Sequence, residues 1–221
     1  MELSPLWISL KVAAAATLIT FFLGIAAAWG VTGLKRIRAV ADGVLSLPLV
    51  LPPTVVGFLL LMALGRNSAL GHFLEAIGLK MIFTWRGAVA AAVVVSFPVM
   101  YRGARGALEQ VEEDLIYAAR TLGMGEFTIL RRIMLPAAWP GIAASAVLTF
   151  ARALGEFGAT LMVAGNLPGK TRTMSIAVYT AMQGGDRELA FKWVAVITCF
   201  SVTILILMNL LTQKGFKRKG S

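Results

Sequence analysis

Apolar residues run on without a charge in several long stretches of this chain, and the charges collect in the connectors between them. Val12 to Leu34 is an uncharged run of 23 residues, which at a helical rise of about 1.5 Å per residue reaches ~34 Å and can cross the hydrocarbon core of a bilayer. Gly43 to Gly65 is as long and as free of charge, with Pro48, Pro52 and Pro53 in its first half, so it should start irregular or kinked and then straighten. Gly87 to Tyr101 lies between Arg86 and Arg102, so those arginines snorkel or the helix continues past them. A fourth run opens with Pro136 and Pro140 and is interrupted by Arg152 and Glu156, and a fifth, Trp193 to Gln213, ends in a basic tail. The spacing predicts spans at about 9–34, 43–65, 85–105, 137–164 and 191–213. Two shorter pieces stand apart: Ala69 to Ile77 has the helical apolar period of an interfacial segment, and Thr173 to Gln183 is too short to cross and suits a re-entrant or partly inserted helix. The expected fold is all-α, a polytopic membrane helical bundle of five spanning helices in a single domain over 1–221, with one long connector at 109–136.

Composition agrees with lipid as the main solvent: 58% of residues are hydrophobic and 14% charged, more apolar surface than a soluble domain buries. A net charge of +10 raises the possibility of a nucleic-acid partner, but the basic residues sit between and after the apolar runs and not along one polar face, which excludes that partner class. They act instead as topology signals. Lys35, Arg36, Arg38, Arg102, Arg105, Arg120, Arg131, Arg132 and the tail residues Lys214, Lys217, Arg218 and Lys219 fall on one side, against Lys11, Arg66, Lys80, Arg86, Lys170, Arg172, Arg187 and Lys192 on the other. The richer side is cytoplasmic by the positive-inside bias, which puts the amino terminus outside and the carboxyl terminus in the cytoplasm. Glu2 and Lys11 flank the first run poorly for a cleavable signal. Cys199, the sole cysteine, reads as a buried small residue of an apolar run, and His72, the sole histidine, as a surface imidazole, so neither a disulfide framework nor a clustered metal site is expected. No cofactor motif is present.

The connector from Val111 to Pro136 reads as two short helices about a Gly123-Met124-Gly125 bend. Glu112, Glu113 and Asp114 load acid where the first helix starts, and Arg131 and Arg132 load base near the end of the second. Ala118 and Ala119 leave that face nearly bare, so another protein's surface can approach. Ala118-Ala119, three residues, Gly123, nine residues, Ile133, one residue and Leu135-Pro136 resembles the EAA loop of ABC-importer permeases, with Tyr117 where that family usually has glutamate. Leu47 to Gly57 and Phe150 to Thr160, followed by Asn166-Leu167-Pro168-Gly169 and Thr171-Arg172-Thr173, are similar to the molybdate permease subfamily, and the likeness runs from about residue 8 to 213.

The resemblance implies a non-catalytic permease subunit of an ATP-driven importer, in the bacterial cytoplasmic (inner) membrane, translocating molybdate and its mimic tungstate. It implies a homodimer, two cytoplasmic ABC ATPase subunits that grip the connector through Tyr117, Ala118, Ala119, Gly123, Ile133, Leu135 and Pro136, and an extracytoplasmic oxyanion-binding protein. A permease for sulfate, thiosulfate or another small solute is the alternative within transport, and an ATP-independent channel or intramembrane enzyme the alternative outside it.

A tetrahedral dianion needs a weak site if it is not to be trapped. Proline-broken helix starts at Pro52-Pro53 and the small residues Gly155 and Gly158 offer backbone amides without fixed charge, and these form the expected translocation path with Arg152 and Glu156. Arg152 and Glu156 are four apart on one helical face, so they should pair, either as an anion attractor with its modulator or as a self-neutralising lock, the second being favoured. Ala164 to Thr171 falls one residue short of a phosphate-loop pattern but follows a span and not a strand, so nucleotide binding is not expected there. No HExxH, GxSxG or paired intramembrane carboxylates argue for catalysis.

Overall fold

The computed structural model of the chain describes residues 2–34 and 36–217, with side chains to residue 206; Lys35 and the tail residues Arg218 and Lys219, used above as topology signals, lie outside the described residues. Eleven α-helices and one π-helical turn follow one another with no strand among the described residues. In order they are α1 (Ser4–Thr32), α2 (Arg38–Val50), α3 (Pro53–Leu64), α4 (Ala69–Ala76), α5 (Trp85–Glu109), α6 (Glu113–Thr121), α7 (Glu126–Ile129), the π turn Leu130–Met134, α8 (Leu135–Leu154), α9 (Gly158–Ala164), α10 (Met174–Gln183) and α11 (Arg187–Lys217).

Four helical stretches are long and apolar enough to cross a membrane, and a fifth crossing is possible if the bent pair α2 and α3 counts as one. The packing decides that count. Val12 and Ala16 of α1 cluster with Ala88 and Ala92 of α5, while Ala28 and Val31 cluster with Met100, Tyr101 and Ala104, so α1 and α5 run parallel. Two parallel neighbours require the chain to return across the slab between them, and α2 and α3 are the segment that does so. α8 is antiparallel to α5: Gly103 meets Ser145, and one turn further along α5 a Cβ on Gly141 would stand 2.7 Å from the Ala107 methyl. Small residues set these distances, as lipid tails leave close packing as the main force between helices. A Cβ on Gly24 would stand 2.7 Å from the Met100 side chain.

The helix bounds add detail to the sequence expectation at three places. Of the two forms expected for the second span, irregular or kinked, the structure has the kink: α2 is helical through Pro48 and the chain then turns by 108° into α3. Pro52 and Pro53 bring no amide hydrogens to that point, so the ladder cannot continue through it. The third span extends past Arg86, Arg102 and Arg105 to Glu109. The expected fourth span, 137–164, is two pieces, because one continuous helical stretch runs from Glu126 to Leu154 and the chain then breaks before α9. Pro136 does not open a helix of its own. Across the π turn the Leu135 N–H bonds to the Leu130 carbonyl, and that widened step makes room for the proline ring within a helix that continues.

Cys199 is exposed, not buried as expected. Apolar side chains of α11 such as Phe191, Val194 and Val202 are exposed too, because an apolar residue of a membrane bundle can face lipid. His72 is exposed on α4.

Candidate functional site

Two regions of the bundle hold the residues singled out by the sequence. One is the connector α6 with its turn. α6 starts with Glu113 and Asp114 in its first turn, where the macrodipole favours them. It ends in a Schellman turn: the Gly123 N–H bonds to the Arg120 carbonyl at 2.9 Å and the Met124 N–H to the Ala119 carbonyl at 3.1 Å, with Gly123 at φ +74°. Arg120 clasps Glu126 across this turn with hydrogen bonds of 2.7 and 3.1 Å. The guanidinium holds the Glu126 carboxyl below its ordinary range, and the carboxylate holds Arg120 above its own.

The expected bare alanine face splits in two. Ala119 is buried in the core cluster that joins Tyr101, Ala104 and Leu108 of α5 to Ile129, Leu130 and Met134 beyond the turn, whereas Ala118 is exposed. Large apolar side chains of the connector are exposed as well: Leu115, Tyr117 and Leu122 near Ala118, and beyond the bend Phe127, whose ring meets Trp29 edge-on; Leu122 is 81% exposed. Ile133 and Leu135 are half-buried against the same core, and Pro136 is exposed. The second half of the connector is no separate helix but the start of the stretch that becomes α8, so Arg131 and Arg132 lie in the π turn rather than at a helix end.

The other region is where the broken spans meet. α3 and α9 run parallel: Gly158 lies beside Pro53 and Thr54, and one turn on Gly57 lies beside Ala159 and Met162. Val56, Ala159 and Val163 form a small buried cluster with Ala91 and Val95 of α5, which places the junction within the depth of the bundle. Gly155 is exposed at the end of α8, and Pro52 and Pro53 are exposed at the start of α3.

Glu156 is 3% exposed and both its oxygens are committed. One accepts the Ala159 N–H at 2.8 Å, so Glu156 caps the first turn of α9; the other accepts from Arg152 at 2.9 Å. The pair expected from the four-residue spacing is formed, and the amide at the head of α9 is already taken. This arrangement fits a self-neutralising lock.

The phosphate-loop look-alike closes on itself. The Thr171 hydroxyl accepts the Leu167 N–H and donates to the Gly165 carbonyl, while the amides of Lys170, Thr171 and Arg172 all bond to the Leu167 carbonyl. No ring of free amides is left to cradle a phosphate. Among the described residues no group of acidic, histidine and cysteine side chains could hold a metal ion.

Residues 20–216 match the family model described as the binding-protein-dependent transport system inner membrane component. The chain is 45% identical over 209 residues to the molybdenum transport system permease protein ModB of Escherichia coli, covering 93% of this chain and 91% of that one. In fold it is similar to a chain of the MetNI methionine ABC transporter in an inward-facing form, with a TM-score of 0.73 at 15% identity over 95% of this chain and 94% of that one. It is also similar to a chain of a bacterial alginate ABC transporter solved with a periplasmic protein carrying an alginate pentasaccharide, with a TM-score of 0.75 at 17% identity over 96% and 78%.

Proposed function

Because the chain belongs to the family of binding-protein-dependent transport system inner membrane components, we propose that it is the permease subunit of an ATP-driven ABC importer that carries molybdate, and its mimic tungstate, into the cell. It is a multi-pass inner-membrane protein by that membership. The oxyanion assignment is supported by the ModB relative, which matches across nearly the whole of both chains. Hydrolysis of ATP belongs to separate subunits on this reading.

The observation that carries the reading is the exposed apolar knuckle of Tyr117, Ala118 and Leu122 at the end of α6, with Phe127 of α7 beyond the bend, on a helix that Ala119 builds into the core. An exposed patch so tightly backed suits a docking surface that must pass on force. Two ATPase subunits closing on ATP would push α6 of each copy in a homodimer. Ala119 would transmit the push to α5 and the π turn, and the α3–α9 junction would open to one side and then the other. On this scheme α6 faces the cytoplasm, the amino terminus lies outside, and an extracytoplasmic oxyanion-binding protein delivers the cargo. Pro52, Pro53, Gly155 and Gly158 line the path, with Arg152 neutralised by Glu156 so that the dianion passes without being held.

The test is uptake into proteoliposomes that contain this chain, its ATPase and its binding protein. ATP-dependent accumulation of molybdate, competed by tungstate and not by sulfate, is the expected result. Uptake that needs no ATPase, or that prefers sulfate, rejects the assignment.

A further inference from the structure

α2 is held to the bundle by a ladder of charges. Arg38 and Asp42 lie one turn apart on one face of α2; opposite them on α5, at the same one-turn spacing, stand Tyr101, Arg105 and Glu109. Arg38 pairs with Glu109, Arg105 pairs with Asp42, and Arg105 also donates to Glu109 at 2.7 Å. The fully buried Tyr101 donates its hydroxyl hydrogen to Asp42 at 2.5 Å. Each charge in this set meets its opposite. The Arg105 side chain is 18% exposed and that of Asp42 26%, so the inner pair is shielded from water.

The ladder admits one register. Sliding α2 by one turn in one direction would set Arg38 where Asp42 stands, against Arg105. Sliding it the other way would set Asp42 where Arg38 stands, against Glu109. Like charges oppose both moves. Beyond the ladder on the same face is Ser46, whose hydroxyl is buried without a hydrogen-bond partner among the described residues, so the polar grip ends there. Apart from Ala41 and Leu45, which reach the core, α2 turns apolar side chains such as Val40, Val44, Leu47 and Val50 outward. α3, past the bend, meets α5 through apolar contacts, Val56 beside Ala91 and Val95.

We propose that Arg38, Asp42, Arg105 and Glu109 are positioning residues that lock α2 to α5, so that the first half of the broken span travels with the helix leading into α6. The bend at Leu51–Pro52 is then the hinge between that body and the α3–α9 unit. This inference rests on the permease reading: a push received at α6 reaches the junction through α5, the ladder and the bend.

The experiment uses the assembled complex in proteoliposomes, in a Cys199→Ser background so that introduced cysteines are the sole thiols of this chain. Asp42→Asn keeps the shape of the site but leaves Arg105 short of a charge, and molybdate imported per ATP hydrolysed should fall about tenfold while ATP hydrolysis persists. Exchanging the pair as Asp42→Arg with Arg105→Asp restores the charge pairing between α2 and α5 and should recover part of that loss, but not all of it, because it sets an acid beside Glu109 and takes the acceptor from Tyr101. Arg38→Cys with Glu109→Cys should be impaired until a short bismaleimide joins α2 to α5, and should regain import once joined. The proposal is overturned if Asp42→Asn keeps wild-type import per ATP, or if the cross-link stops import in a complex that still hydrolyses ATP, since the two helices would then have to part in each cycle. Failure of the permease reading looks different, because the unmodified complex would import no oxyanion at all.

Discussion

Gly158 lies against Pro53: a Cβ on Gly158 would stand 3.2 Å from the Pro53 Cβ and 3.2 Å from the backbone nitrogen of Thr54. The break in one span is thereby packed on the break in another, and any side chain at Gly158 has to push its neighbours aside. Gly158→Ala asks its neighbours to give by a few tenths of an ångström and should transport with reduced rate. Gly158→Leu must wedge α3 from α9, at a cost of about 1–3 kcal/mol, and should abolish uptake. Uptake is measured against the amount of assembled complex in the membrane; normal assembly with unimpaired uptake in Gly158→Leu removes the junction from the path.

Arg152 and Glu156 differ in what their loss leaves behind. Without Arg152, Glu156 still caps α9 through the Ala159 amide, so Arg152→Gln should assemble and transport at close to the wild-type rate. Without Glu156, Arg152 is stranded, and an unpaired charge at membrane depth costs about 3 kcal/mol. Glu156→Ala should therefore lower the melting temperature of the solubilised protein, and adding Arg152→Gln should restore part of it. A strong loss of uptake in Arg152→Gln with normal stability would make the arginine an anion attractor after all.

Gly123 and Gly125 flank the same turn, yet only Gly123 has positive φ. A Cβ at either position would meet open space, so backbone strain alone separates them. Gly123→Ala should weaken the turn by about 1–2 kcal/mol, and Gly123→Val by more because of its β-branch. Gly125→Ala should be silent. The measurement is binding of the ATPase to the purified permease; equal behaviour of the two alanine variants would refute the strain argument.

Uncharged runs such as Val12–Leu34 made the long helices readable, and the period of Ala69–Ile77 located α4 to within a residue. The Gly155–Phe157 break was hidden because Leu-Gly-Glu-Phe-Gly reads as an apolar run with one acid, and the fact that Glu156 caps α9 depends on where the chain goes next. The π turn at Leu130–Met134 has no periodic signature over five residues. Adjacent residues on a helix diverge by about 100°, so the sequence could not say that Ala119 faces the core and Ala118 the solvent. Arg38 and Glu109 are 71 positions apart, and each alone reads as a solvated charge. Cys199 was misplaced by taking apolar surroundings to mean burial, a rule that fails where the solvent is lipid.

Leu122 and Ala119 stand three residues apart on the same short connector, one open to solvent and one built into the core, and should fail in opposite ways. Leu122 is 81% exposed, so Leu122→Asp should leave the melting temperature of the permease unchanged. It should weaken the ATPase complex by about 2 kcal/mol or more if Leu122 is a binding hot spot. Ala119 is 3% exposed, so Ala119→Asp buries a carboxylate among Leu108, Ile129 and Met134 and should destabilise the permease itself, before any partner is added. The Arg120–Glu126 clasp adds a pH signature. The Glu126 pKa is lowered in the folded chain, so the stabilisation from the clasp is complete above the ordinary glutamate pKa and is lost as the pH falls through the lowered value. ATPase affinity should therefore be flat around neutrality and weaken at the acidic end, and Glu126→Gln should remove that acidic arm. If Leu122→Asp bound the ATPase as tightly as the wild type while Ala119→Asp still destabilised the fold, the exposed knuckle would be a mere lid on the core, and the docking surface would have to be sought elsewhere on the chain.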